Sequence, residues 1–201
     1  MLSGMGNATS AIRSNAFLNT SNPASYSALP RQMVVLEISG QGTDATLQTP
    51  QERATSSDFS VSRFALGFKF NNTWGSSIGI LPVSTMSYHI VSPQQVGASD
   101  QTINSVFEGN GGLNQFYWAN AFQLGKHLSL GVQAAYIFGT LNQTEKVGYD
   151  ISNPYIDAEQ QTFLRGLQAG GGAQYFTKLS PKWDFTLGLG YINKRSLNAQ
   201  Y

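Results

Sequence analysis

The chain has no cysteine, little charge and no long apolar run, and each absence removes a class of protein. Without cysteine there is no disulfide framework, no thiolate nucleophile and no thiolate metal site. Charged residues make up 11% of the 201 positions, less than half of the roughly 25% usual in soluble domains. The net charge is +1 and lysine and arginine do not cluster, so the electrostatic footprint of a nucleic-acid-binding protein is missing. No segment approaches the ~20 apolar residues of a membrane-spanning helix. The longest candidate, LSLGVQAAYIFGTL, is interrupted by Gly131, Gln133 and Gly139. The opening MLSGMGNATS carries neither the basic nor the apolar region of a secretory signal. Taken with the polar ending NKRSLNAQY, this leads us to expect a fragment that lacks both ends of its precursor.

What is present is alternation. From Leu128 to Phe138, Leu128, Leu130, Val132, Ala134, Tyr136 and Phe138 fall on one face, opposite Ser129, Gly131, Gln133, Ala135 and Ile137. That period of two marks a strand with one apolar face and one small or polar face. Phe185, Leu187, Leu189 and Tyr191 repeat it against Thr186, Gly188 and Gly190. Extending the pattern gives about seven strands, near 32–40, 57–70, 74–91, 103–124, 128–149, 160–178 and 183–193. Several exceed the usual length in soluble sheets. A soluble sandwich would charge its solvent face, whereas this face carries Gly, Ser, Gln and Thr. We therefore expect an all-β, transmembrane, antiparallel up-and-down barrel over a soluble sandwich. The connections agree: short turns at NNT (71–73), GKH (125–127) and LSPK (179–182) alternate with polar stretches near 41–57, 92–102 and 150–160. In a meander this puts every short turn at one end and every long loop at the other, as in outer-membrane barrels.

Chemistry is sparse. His89 and His127 lie toward opposite ends of the expected sheet, so neither a shared metal site nor a catalytic triad is expected. Asp58, Asp100, Glu108, Asp150, Asp157 and Glu159 gather toward the long loops, where solvation explains them better than cation binding. We expect no enzyme activity, catalytic residue, metal or cofactor. Arg63, Lys69 and Arg165 interrupt strands and, in a barrel, fit only toward the lumen or an interface. Gly79 and Pro82 lie inside the third strand, where proline removes a ladder donor and marks an irregularity.

The segment GMGNATSAIRSNAFLNTSNPASYSAL ahead of these strands resembles the mature N-terminus of the FadL family of outer-membrane transporters. The resemblance rests on Gly4-Met5-Gly6, a small-residue stretch from Ala8 to Leu18 expected to be a short helix, and Asn22-Pro23-Ala24. VSRFALGFKFNNTWGSSIGILPVS also resembles the family's second and third strands, with WGSSIGILPVS matching its inward wall kink. The resemblance implies a barrel of about fourteen strands with an N-terminal helical hatch. Residues 1–31 would be the hatch and 32–201 the first half of the wall. It further implies passive uptake of long-chain fatty acids or other hydrophobic compounds through a lateral opening. Ile12, Phe17, Leu18, Asn22, Pro23, Ala24 and Tyr26 are the ligand or hatch candidates; Gly79 and Pro82 are the wall-kink candidates. The implied partners are the lipid bilayer and a hydrophobic small molecule such as a fatty acid, in the bacterial outer membrane. Some FadL relatives serve secretion systems, as in type IX secretion, which leaves a cell-surface assembly partner as the alternative.

Overall fold

A computed structural model describes residues 9–48, 53–95, 102–148, 156–194 and 196–200. Eight strands follow an N-terminal segment: β1 (Val34–Gln48), β2 (Arg53–Lys69), β3 (Trp74–Gln95), β4 (Thr102–Leu124), β5 (Leu128–Gly148), β6 (Ile156–Ser180), β7 (Trp183–Ile192) and β8 (Ser196–Gln200). The first seven pair in chain order in one sheet, and β8 pairs antiparallel with β6, from Phe163↔Gln200 to Leu167↔Ser196. Ser196–Gln200 of the polar ending, which lay outside the seven expected strands, is therefore a strand. It lies on β6, and no ladder among the described residues joins β1 to β7.

The strands of the alternating segments lie where the pattern puts them. The differences sit at the hairpin tips. β1 and β2 stay paired as far as Gln48↔Arg53, so most of the polar stretch expected as a loop is ladder. Its sequence GQGTDATLQT has no apolar face, so alternation fails there although the backbone hydrogen bonds continue. β3 likewise runs on to Gln95, and β6 begins at Ile156. The contrast between long loops and short turns is correspondingly smaller than the sequence implies. Asp100 and Asp150 lie outside the described residues. Among the described residues no acidic or histidine cluster could hold a metal ion.

The short turns have local causes. Asn71 Oδ1 accepts from the backbone N–H of Thr73 (2.9 Å) and Trp74 (2.8 Å), closing the β2–β3 turn. Gly125 takes φ 65° in the β4–β5 turn, a conformation that suits glycine. Between β1 and β2 the register slips at Ser39/Gly40, a bulge that leaves Ser62 without an opposite residue.

The chain divides into two compact units. The first comprises Met1–Leu81, Phe116–Ala135 and Gln168–Lys194; the second comprises Pro82–Gln115, Tyr136–Leu167 and Arg195–Tyr201. In the first unit one face of the sheet is apolar and exposed. It includes Leu36, Ile38, Phe64, Trp118, Leu130, Leu187 and Leu189. Asn120, which breaks the alternation of β4, accepts a hydrogen bond from Trp74 Nε1 at 3.0 Å, so its amide is not left unpaired on that face. In the second unit His89 Nδ1 and Glu108 Oε1 lie 2.9 Å apart at the surface, and Arg165 shares an exposed face with Phe163 and Leu167. Gly111 adopts φ 127° in β4, where an added Cβ would strike Thr140 O of β5.

The N-terminal helix expected over Ala8–Leu18 is not formed across residues 9–18. The helical element is instead a 3-10 helix at Pro23–Ala28. Asn22 is its N-cap, accepting from Ala24 N at 3.0 Å, and Pro23 opens the first turn, where its missing N–H leaves nothing unsatisfied. Asn-Pro-Ala thus begins the helical element, which lies after the stretch expected to be helical.

Candidate functional site

The residues from Thr9 to Pro30 lie on the small-residue face of the first unit's sheet, termed its inner face because the segment covers it, and the sequence of that face explains how. Viewed strand by strand, it presents Ala65 and Gly67 (β2), Gly75 (β3), Ala119 and Ala121 (β4), Gly131 (β5), Gly172 (β6) and Gly188 (β7). Side chains at the glycines would collide with the segment. A Cβ on Gly67 would meet the Leu18 side chain, on Gly75 the carbonyl of Tyr26, and on Gly131 the backbone of Pro23 and Ala24. On Gly172 it would meet Asn22 Oδ1, and on Gly188 the carbonyl of Ser10. Glycine inside a strand marks a place where another backbone approaches closely. The small inner face is a seat for this segment.

Apolar anchors occupy one part of the seat. Leu18, Tyr26 and Leu29 are buried with Ala65, Tyr117, Ala119, Ala121 and Ala135 in one cluster. Burial pushes the Tyr26 phenol well above its ordinary pKa, with neighbouring Tyr117 adding to the effect, so it stays neutral. The Tyr117 hydroxyl is engaged with Ser77 Oγ at 3.0 Å, and Tyr26 Oη lies beside this pair without a hydrogen bond of good geometry among the described residues.

Polar contacts fix the register. Glu37 Oε2 accepts from Leu18 N (3.0 Å), and its other oxygen pairs with Arg63 Nη1 (2.8 Å), which also donates to Leu18 O at 3.2 Å. Lys69 Nζ donates to Ser27 O at 2.6 Å. Arg63 and Lys69 therefore turn inward, and their partners belong to the segment. Ser129 Oγ donates to Ala24 O (2.7 Å) and lies 2.7 Å from Ser27 Oγ. Gln174 Nε2 donates to Ser10 O (3.0 Å) and Ile12 O (3.2 Å). Asn22 Nδ2 reaches Ser10 O at 2.8 Å, with Ala173 O (3.2 Å) and Leu189 O (3.3 Å) nearby, so one amide caps the helix and ties two strands to it. Buried polar groups that find partners in this way specify one seating and disfavour others.

The sequence-derived candidates divide accordingly. Leu18, Asn22, Pro23, Ala24 and Tyr26 come together in the seat. Ile12 and Phe17 are half-buried beside it, Ile12 contributing its carbonyl. Gly79 faces Ala65 and Tyr117 from β3. Pro82 continues β3 without ending it, beyond the Phe64↔Ile80 pair of the β2–β3 ladder. Reading the sequence missed Glu37, Ser129, Gln174 and the seat glycines. Each is individually unremarkable, and the available signal was small residues recurring on one face of several strands. His127 Nδ1 donates to the carbonyl of Phe176 at 3.0 Å, which fixes its tautomer.

One family model, BamG, matches residues 1–201. The chain belongs to the BamG family. No curated protein and no solved structure matches it. BamG is a different family from FadL, so the match overturns the FadL resemblance and, with it, uptake of long-chain fatty acids or other hydrophobic compounds. The physical reason is visible in the motif itself. Asn-Pro-Ala here is a capped 3-10 start, which any chain entering a seat by a tight turn can use.

Proposed function

We propose that this BamG-family chain is part of a bacterial outer-membrane β-barrel whose inner face is stoppered by its N-terminal segment, and that it serves a membrane assembly complex as a partner protein. Residues 1–31 act as the stopper and 32–201 as wall. The observation that carries the reading is the filled seat. Over the glycines of the seat, backbone and hydrogen-bonded polar groups occupy the inner face, where passage of an apolar ligand needs open apolar space. Support for the membrane comes from the opposite face, where exposed Leu, Ile, Phe and Trp recur on successive strands, as a soluble monomer rarely leaves in water. Membership in the BamG family supports the assembly role over the transport role.

Depletion in the native bacterium tests this reading. Quantitative outer-membrane proteomics is expected to show a several-fold loss of other outer-membrane proteins, with long-chain fatty acid uptake unchanged. An unaltered outer-membrane proteome would defeat the proposal.

A further inference from the structure

Where the β4–β5 and β6–β7 turns meet the N-terminal segment, the first unit holds a cavity of about 740 Å³. Its lining is biased in charge: Arg13, Lys126 and Lys178 against one carboxylate, Asp184. Arg13 is the most informative. Its Nη1 donates to Ser27 Oγ at 2.8 Å, and the guanidinium lies 3.9 Å over the Phe176 ring. Lys69 holds the carbonyl of the same serine, which brings two cations onto one residue. No carboxylate forms an ion pair with Arg13, Lys126 or Lys178 among the described residues, and Asp184, opposite Lys178 in the ladder, stands outside ion-pair distance of it. Burial lowers the Arg13 pKa to about 10. Withdrawing the Arg13 cation from water without a counter-charge is unfavourable, and an anion held by it together with the exposed Lys126 and Lys178 offsets the penalty.

We propose that this cavity binds the carboxylate side chains of an acidic peptide segment from a partner protein. Membrane lipid is the wrong source of charge. Phe176 and Lys178 alternate in register with Gln174, which contacts the segment, so they share the inner face and not the exposed apolar one. The volume lies within the range of sites that enclose whole ligands, and a single phosphate would leave most of it empty. Ser14, Asn15 and Thr186 supply hydroxyl and amide groups suited to a peptide backbone. The inference goes beyond the assembly role and is tested on the isolated protein, so either can fail without the other.

The test is fluorescence anisotropy of labelled hexaglutamate with the full-length protein in detergent. Saturable binding is expected, weakening as salt rises. The double substitution Lys126→Gln/Lys178→Gln should weaken it about tenfold, whereas Lys194→Gln, remote from the lining, should leave it unchanged. Both substituted lysines have exposed side chains, and circular dichroism checks that the strands persist. Inorganic phosphate at equal concentration should not displace the peptide. Absence of saturable binding, binding indifferent to the double substitution, or displacement by phosphate as effective as by unlabelled peptide would each overturn the proposal.

Discussion

Replacing Gly131 by leucine is expected to unseat the N-terminal segment while leaving the strands in place. An added Cβ at this position meets the backbone of Pro23 and Ala24, which cannot rotate aside as a side chain would. Overpacking a filled core typically costs about 1–3 kcal/mol, and backbone opposition puts this case at the upper end. The strain falls on the 3-10 helix, whose burial against the wall holds the whole segment. Ser129 would lose its bond to Ala24 O, and Asn22 would be drawn away from Ala173 and Leu189. Limited trypsinolysis reads the result. Arg13 is half-buried in the seated form and should be cleaved at least about tenfold faster in Gly131→Leu, with far-ultraviolet circular dichroism unchanged. Equal cleavage rates would mean that the glycines do not form a seat.

The second large effect is at Tyr26. Tyr26→Ala is expected to destabilise the protein by about 3–5 kcal/mol, the range for truncating a large buried aromatic. The ring fills the centre of the cluster made by Leu18, Leu29, Tyr117 and the alanines of β2, β4 and β5. Tyr26→Phe makes the sharper comparison. Because the hydroxyl makes no hydrogen bond of good geometry among the described residues, its removal should change stability by no more than about 0.5 kcal/mol or improve it. Urea unfolding in detergent, followed by tryptophan fluorescence, measures both. A phenylalanine variant as unstable as the alanine variant would assign the contribution to the hydroxyl and contradict the packing account.

How far these features can be read from the chain depends on what each one leaves in the sequence. β5 and β7 are legible to within a residue or so, because Leu128–Phe138 and Phe185–Tyr191 alternate against small residues. The outer ends of β1 and β2 are not, since polar residues on both faces erase the period while the ladder continues to Gln48↔Arg53. β8 is hidden by Asn193 and its neighbours, which interrupt the strand pattern after Ile192. The 3-10 helix was misplaced although its start carries the right signal, asparagine followed by proline. The small inner face was visible, but it reads equally as the lining of an open lumen. That it receives a segment depends on contacts more than a hundred residues apart, such as Asn22 with Ala173, which no local pattern encodes. The FadL resemblance fails for the same reason: Asn-Pro-Ala is a short local motif that fits more than one set of surroundings.

The most direct measurement of the central claim is affinity purification of the full-length protein from native outer membranes in mild detergent, with quantitative mass spectrometry. Near-stoichiometric recovery of a membrane assembly complex is expected. Recovery of the protein alone, or with bound lipid only, would contradict it.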